Sequence, residues 1–249
     1  MKVLILGGTW EARELAEIVS GGRGFDIVSS LAGRVSDPLL PEGVVRIGGF
    51  GGADGLRQWL IANAIEMVVD ATHPFAATIS ANAATAAASA DLPLLHVRRP
   101  GWSEGPGDRW IRVPDLAAAA AAVAGLGDRV FLTIGRQGVG AFAGLTEPWF
   151  LIRAIDPPVG DLPPHHEVLL ARGPFAVETE SLLLASHRID VLVTKDSGGD
   201  RTDAKLVAAR GAGIPVVMID RPALPVDAIV AENVSDAVQW LDTQSASRA

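Results

Sequence analysis

Short apolar runs alternate with helix-like segments along most of the chain. Val3–Leu6 is a continuous apolar run of the kind that forms a strand buried on both faces, and the segment after it places Leu15, Ile18 and Val19 on one helical face. Similar pairs recur at short intervals. Because strands that alternate with crossover helices form parallel sheets, this pattern predicts an α/β fold.

The alternation is interrupted over residues 99–114, which are rich in proline and glycine. Trp102 and Trp110 lie here, and few apolar positions are periodic. Such a composition is typical of a connection between domains. We therefore predict two α/β lobes, each built on a parallel, doubly wound sheet. The N-terminal lobe covers residues 1–98, and the C-terminal α/β lobe covers residues 115–249.

Composition excludes several classes of protein. The chain has no cysteine, which rules out disulfides, cysteine-ligated zinc and iron–sulfur clusters and fits a cytoplasmic location. Its net charge of −8 argues against a nucleic-acid partner. No apolar run reaches the ~18 residues of a membrane span, so we expect no membrane partner.

A glycine turn, Gly7-Gly8-Thr9, separates the first strand from the first helix. Glycines let the backbone approach a phosphate, and a helix N-terminus supplies free N–H groups and the positive end of a dipole. The spacing is not that of G-x-G-x-x-G, because Ala12 and Arg13 stand where a third glycine is expected. The turn therefore predicts a phosphate site, with a ligand-free strand–helix turn as the alternative.

The end of the second strand distinguishes between the two nicotinamide cofactors. NAD-binding folds place an acid here to hold the ribose 2′-hydroxyl. This chain has Ser29 and Ser30, followed by Arg34. Hydroxyls and a guanidinium suit a 2′-phosphate, so we expect NADPH as the cofactor. The alternative for Arg34 is an ordinary surface arginine.

Three further polar segments follow apolar runs. Asp70-Ala71-Thr72-His73-Pro74 ends the fourth strand, and His73 could bind ligand or cap the next helix. No second histidine lies at metal-ligand spacing, so we expect no metal, and His165-His166 is expected to be an exposed loop. Thr194–Gly199, with Lys205 after it, combines hydroxyls, lysines and glycines in a way that suits phosphate or carboxylate. The third segment is Gly135-Arg136-Gln137-Gly138, with Arg153 on the next strand. Each of these two arginines is either an anion contact or a surface charge.

Taken in order, these segments resemble the precorrin-6A reductase family of cobalamin biosynthesis. The matching segments are Gly7-Gly8-Thr9 with Glu11-Ala12-Arg13, Asp70–Ala76, Gly173-Pro174-Phe175, Thr194–Gly199 with Lys205, and Arg221-Pro222. The resemblance implies a reductase that moves hydride from NADPH to the macrocycle of precorrin-6A, giving precorrin-6B. It also implies two Rossmann-like lobes with parallel sheets and an inter-lobe cleft that binds the cofactor, and neither metal nor flavin. On this expectation residues 1–98 are the dinucleotide-binding lobe.

The residue roles follow as expectations. We expect the cofactor to be bound by Gly7, Gly8, Thr9, Glu11, Ser29, Ser30, Arg34, Thr72, Thr194, Ser197 and Gly198. The candidate catalytic residues, any of which could supply a proton to the reduced ring, are Lys195, Asp196 and His73. The many carboxylates of the tetrapyrrole substrate are expected to meet local cations, for which the candidates are Arg136, Arg153, Arg98 and Arg99. The residues expected to bind substrate are Arg136, Arg153, Gly199 and Lys205. Transient contact with other enzymes of the pathway is a further possible partnership.

Two other functions use a similar turn. Short-chain dehydrogenases and sugar-nucleotide epimerases transfer protons through a Tyr-x-x-x-Lys pair, and this chain has no tyrosine, so their mechanism is excluded. A non-catalytic NADP(H) sensor built on the same sheet remains the alternative to an enzyme.

Overall fold

The computed structural model describes residues 1–33 and 36–247. The chain forms two compact units, one made of Met1–Pro100 with Pro222–Ala249 and the other of Gly101–Arg221. The strands are β1 Lys2–Leu6, β2 Asp26–Leu31, β3 Val44–Ile47, β4 Met67–Asp70, β5 Leu94–Val97, β6 Trp110–Val113, β7 Arg129–Thr133, β8 Trp149–Ala154, β9 His166–Leu170, β10 Val191–Lys195, β11 Val216–Ile219 and β12 Ile229–Ala231. The helices are α1 Trp10–Ser20, α2 Ala53–Ala62, α3 Ala77–Ser89, α4 Leu116–Val123, α5 Val177–Ser186, α6 Ala204–Ala212 and α7 Val234–Ala246, with a 3-10 turn at Val139–Phe142.

The first unit is a parallel sheet in the order β3-β2-β1-β4-β5-β12. This is the doubly wound dinucleotide-binding order, with β12 in the sixth place. Near the carboxyl ends of the strands, one row of residues paired in register runs across the sheet. This row consists of Arg46, Ser30, Leu6, Asp70 and His96. The polar residues of that row lie at the carboxyl ends of the strands, where α/β sheets bind ligands.

Both faces of this first sheet are covered, which explains why its strands are apolar without alternation. Val3 and Ile5 pack with α1 and α7 on one face. Leu4 and Leu6 pack with α2 and α3 on the other face. Because neighbouring β1 residues point to opposite faces, each of them is buried against a different helix layer.

The second unit has the same architecture as the first. Its parallel sheet has the order β9-β8-β7-β10-β11-β6, so β6 takes the sixth place although it precedes the other strands in the chain. Phe131, Leu192 and Met218 pack with α5 and α6 on one face. The α/β fold with two Rossmann-like parallel sheets, predicted from the alternation, is confirmed.

The structure differs from the sequence-based expectation in three segments. Residues 115–249 are expected to form one lobe, but β12 pairs with β5 and α7 packs on the first sheet. β6 lies inside the expected connection, where a run of only four residues carries too little periodicity to stand out. His166 begins β9, an edge strand with exposed residues, and not a loop. Each missed strand is short and pairs on one side only, so polar residues are tolerated in it.

Candidate functional site

The glycine turn of the first unit is fixed by backbone geometry. Gly8 has a φ of +113°, which strongly favours glycine, and a Cβ placed there would meet nothing within 4 Å among the described residues. The Gly7 N–H donates to the carbonyl of Ser30 at 2.9 Å. The turn is therefore tied to the end of β2 and leaves open space beside Gly8.

Thr9 is the N-cap of α1. Its hydroxyl accepts a hydrogen bond from the Ala12 N–H at 3.2 Å and donates to the Ala71 carbonyl at 2.7 Å. The side chain expected to bind cofactor is thus used to start the helix and to join β1 to the end of β4. What Thr9 can offer a ligand is its backbone.

Glu11, in the first turn of α1, forms a buried ion pair. Its Oε1 lies 2.5 Å from Nη1 of Arg99. Its Oε2 is also buried and has no hydrogen-bond partner within residues 1–33 and 36–247. A carboxylate accepts hydrogen bonds from hydroxyl or amide donors and repels a phosphate. If Glu11 binds the cofactor, it is therefore suited to a hydroxyl or amide group and not to a phosphate.

At the end of β2, Ser29 and Ser30 are both buried. Ser29 Oγ has no partner in the described part of the chain, whereas Ser30 Oγ accepts a hydrogen bond from Nη1 of Arg46 at 3.2 Å. Arg34, the cation expected here, lies outside the described residues. Arg46 was missed by sequence reasoning, although its place near the end of a predicted strand, like that of Ser30, could have identified it.

Asp70 organises the end of β4. Its Oδ2 lies 3.1 Å from Nδ1 of His96, and its Oδ1 accepts from both the N–H and the hydroxyl of Thr72, at 3.1 and 2.6 Å. Burial alone would raise the pKa of Asp70, but hydrogen bonds from His96, Ser80 and Thr72 outweigh it and lower that pKa. Because an ionised carboxylate only accepts, His96 carries its proton on Nδ1. Thr72 is held in one orientation by this carboxylate.

His73 is half-buried, and its Nδ1 accepts a hydrogen bond from the Phe75 N–H at 3.2 Å. That contact assigns the ring proton of neutral His73 to Nε2. The histidine therefore shapes the turn before α3 while its other nitrogen remains a donor.

In the second unit, the loop after β10 carries the expected polar cluster. Lys195 is half-buried, and burial lowers the pKa of its ammonium group from the ordinary 10.5. The Asp196 carboxylate accepts from the Trp102 N–H at 2.9 Å and from Arg112 at 2.8 Å. Two adjacent candidates thus have different environments: Lys195 is desolvated, and Asp196 is held by cationic and backbone donors.

The rest of this loop is packed around Trp102. Its indole N–H donates to the Gly199 carbonyl at 2.9 Å, and its ring lies 4.6 Å from Nζ of Lys205. Lys205 is buried and donates to the Thr202 carbonyl. Thr194 is buried at the end of β10, while Gly198 adopts a positive φ of +66°. The structure therefore brings two of the expected residues, Gly199 and Lys205, together around Trp102 in the second unit.

The two arginines expected to meet substrate differ sharply. Arg153 is buried, makes two hydrogen bonds to Glu180 at 2.5 and 2.9 Å, and stacks 3.8 Å from the Phe175 ring centre. Arg136 is half-buried, and its guanidinium lies 3.8 Å from Asp156. Arg153 belongs to the core of the second unit, and Arg136 is the more accessible cation.

Two further observations concern metals and membranes. In residues 1–33 and 36–247, no three histidine, aspartate or glutamate side chains are grouped so as to hold a metal ion. No helix in those ranges is long and apolar enough to cross a membrane.

The chain is similar to known proteins along nearly its whole length. The model of the family described as precorrin-6x reductase CbiJ/CobK matches residues 2–242. A precorrin-6A reductase from Rhodococcus erythropolis is 59% identical over 242 residues, covering 97% of this chain and 98% of the relative. One from Mycobacterium tuberculosis is 50% identical over 241 residues, covering 96% and 97%.

A solved structure described as CobK precorrin-6A reductase has the same fold. It matches with a TM-score of 0.90 at 44% identity and covers 97% of this chain and 96% of its own. The resemblance inferred from the motifs is confirmed. Since the family model spans residues 2–242 and two relatives share half or more of their residues with it, the chain belongs to the precorrin-6x reductase CbiJ/CobK family.

Proposed function

We propose that the protein is an NADPH-dependent reductase that converts precorrin-6A to precorrin-6B in cobalamin biosynthesis. The observation that carries the proposal is membership in a family whose relatives, at 59% and 50% identity, are named precorrin-6A reductase. The doubly wound sheet with a glycine turn after β1 supports the cofactor, because such sheets bind nucleotides at this edge.

The residues of the first unit fit a dinucleotide. Gly8 leaves room for a phosphate at the N-terminus of α1, where backbone N–H groups and the helix dipole favour an anion. Glu11 Oε2, buried and lacking a partner among the described residues, fits a ribose hydroxyl or the amide of a nicotinamide. We propose that the Gly7–Thr9 backbone binds phosphate and that Glu11 orients a hydroxyl or amide group.

NADPH supplies the hydride when it is bound, and the reduced ring also needs a proton. We assign proton donation to Lys195. Its lowered pKa makes the ammonium a better acid than an exposed lysine. Asp196 is less suited, because both of its carboxylate oxygens already accept hydrogen bonds, from the Trp102 N–H and from Arg112. We assign it a positioning role, holding the loop that carries Lys195.

His73 is the second candidate donor. With Nδ1 accepting from the Phe75 N–H, neutral His73 presents an Nε2 proton. We propose that it donates a hydrogen bond to cofactor or substrate without giving up the proton, because loss of the Nε2 proton from a neutral imidazole is very unfavourable. Arg136 is the proposed contact for substrate carboxylates, and Arg153 supports the fold.

The test uses the purified chain. NADPH is titrated first and its fluorescence followed; precorrin-6A is then added and the loss of NADPH absorbance is recorded. We expect saturable binding, then oxidation of one NADPH for each precorrin-6A, with NADH a poorer reductant. Tight NADPH binding without oxidation would indicate a sensor, and oxidation that prefers NADH would contradict the assigned cofactor.

A further inference from the structure

Arg46 is a cation of the first unit that lies close to the end of β2. It lies on β3, one strand beyond the serines of β2, and is half-buried. Its Nη1 donates to the Ser30 hydroxyl at 3.2 Å and to the Gly48 carbonyl at 2.5 Å, and its Nη2 donates to the Gly49 carbonyl at 2.6 Å. Each of these acceptors is neutral.

Several arginines of the chain are paired with acids, whereas Arg57, Arg109 and Arg129, like Arg46, donate to backbone carbonyls. Arg23 contacts Asp242, Arg99 contacts Glu11, and Arg153 contacts Glu180. Arg46 has no carboxylate within ion-pair distance in the part of the chain that the structure describes. A half-buried charge without a counter-ion is costly, and an anionic ligand would remove that cost.

The guanidinium of Arg46 is held rigidly. One face lies on the Phe50 ring, 3.7 Å from its centre, with Trp59 at 5.8 Å. Of the five N–H groups of a guanidinium, the three hydrogen bonds above use three, and the Nε–H and one Nη2–H are left without a partner in residues 1–33 and 36–247. A guanidinium that is fixed in position and has two N–H groups able to donate to a ligand is suited to bidentate binding of a phosphate.

Arg46 is also connected to the glycine turn. The Ser30 hydroxyl accepts from Arg46 while the Ser30 carbonyl accepts from the Gly7 N–H, so two atoms of one residue join the cation to the turn. In doubly wound sheets, the adenosine ribose lies over the end of the second strand when the pyrophosphate is at the turn. Ser30 is at that strand end, and Arg46 is beside it.

We propose that Arg46 binds the 2′-phosphate of the cofactor and is a specificity determinant for NADPH over NADH. The inference rests on the proposed function, since it requires the glycine turn to hold a dinucleotide. The sequence alone predicts contacts to the 2′-phosphate from Ser30 and Arg34. The proposal adds a contact from β3. The Phe50 ring and the Ser30 hydroxyl hold the guanidinium in place.

The test compares two probes that differ only by the 2′-phosphate, adenosine 2′,5′-bisphosphate and adenosine 5′-monophosphate. Their affinities are measured by isothermal titration calorimetry for the wild-type chain, Arg46→Gln and Arg46→Lys. We expect Arg46→Gln to bind the bisphosphate roughly tenfold or more weakly while its affinity for the monophosphate changes less than about twofold. Arg46→Lys, which keeps the charge but not the fork, should show a smaller loss of the same kind.

Arg23→Gln is the matched control. Arg23 lies just before β2, at the amino ends of the strands, and pairs with Asp242. It should leave both affinities unchanged. Equal losses for both probes in the Arg46 variants would mean that Arg46 only supports the Gly48-Gly49 turn and would overturn the inference. If Arg46→Gln does not fold, an unchanged probe ratio in Arg46→Lys overturns it equally. Failure of the wild-type chain to bind NADPH would reject the proposed function instead.

Discussion

The carboxylate of Asp196 accepts a hydrogen bond from the guanidinium of Arg112 at 2.8 Å, and its second oxygen accepts from the Trp102 N–H. Gly101 lies so close that a Cβ there would be 2.9 Å from that carboxylate. Asp196 therefore fastens the segment at residues 101–102 to the loop after β10. An asparagine can retain one acceptor oxygen but not two.

We expect Asp196→Asn to lower the free energy of unfolding by about 1–3 kcal/mol, because one buried donor loses its acceptor. Urea denaturation monitored by tryptophan fluorescence measures this. Asp220→Asn is the control, since the half-exposed Asp220 pairs with the same Arg112 at 2.8 Å. An exposed pair contributes about 0–1 kcal/mol, so equal losses in the two variants would contradict the special role of Asp196.

Arg153→Ala should act on stability. It leaves the buried Glu180 without its two hydrogen bonds, and removing one partner of a buried pair costs about 3–5 kcal/mol. We expect a large fall in Tm with little change in NADPH affinity at a temperature where the variant is folded. The double variant Arg153→Met/Glu180→Leu should recover most of the stability. A variant with a wild-type Tm and a raised KM for the tetrapyrrole would instead indicate that Arg153 binds substrate.

Gly8→Ala tests the phosphate turn. The substitution places a side chain at φ +113° and fills the space beside the turn, so we expect strain of about 1–3 kcal/mol and NADPH binding about tenfold weaker. Gly22→Ala is matched to it, because Gly22 has a φ of +93° and equally open surroundings in the described ranges, but follows the other end of α1. Fluorescence titration should find NADPH binding unchanged in Gly22→Ala. Similar weakening in both variants would indicate a general effect of backbone strain.

Lys195 should determine the alkaline limit of turnover. The protonated ammonium is the proposed acid, so kcat falls as pH rises through its pKa, which burial places below 10.5. We expect Lys195→Arg to retain NADPH binding and lose about 10²-fold or more in kcat, because a guanidinium does not release its proton. Single-turnover NADPH oxidation across pH measures both effects. A basic limb that persists unchanged in the variant would assign the proton to another group.

Asp70 should contribute to stability in a pH-dependent way. Its folded-state pKa is depressed below the ordinary 3.8, so its contribution is fully present above about pH 4 and is lost as pH falls through the lower folded pKa. Asp70→Asn should therefore be less stable than wild type at pH 7, with the difference shrinking below about pH 4. Chemical denaturation at several pH values measures it. A difference independent of pH would contradict the ionised state of Asp70.

The alternation of apolar runs and helical segments was sufficient to predict the two parallel sheets, because buried parallel strands such as β1 lack polar positions. The polar loops after β4 and β10 were found for a related reason, since polar residues that directly follow a buried strand stand out. β6, β9 and β12 were missed because short edge strands carry little periodicity. Their place in a sheet depends on partners that are distant in the chain.

Side-chain partners were less predictable than strand ends. That Arg153 is neutralised by Glu180, whereas Arg46 has no such acid among the described residues, depends on packing between segments far apart in sequence. Burial and pairing decide whether an arginine supports the core or binds a ligand, and neither can be read from residue type alone. The same holds for Thr9, whose hydroxyl is used by the helix it starts.

The late position of β12 in the chain affects how the protein can be made. Its partner β5 emerges from the ribosome before the entire second unit has been translated, a delay on the order of ten seconds. During that time β5 would present unpaired backbone groups and the apolar surface later covered by α7. We therefore expect a nascent chain of this design to be prone to aggregation, and a fragment that stops at residue 221 to express poorly.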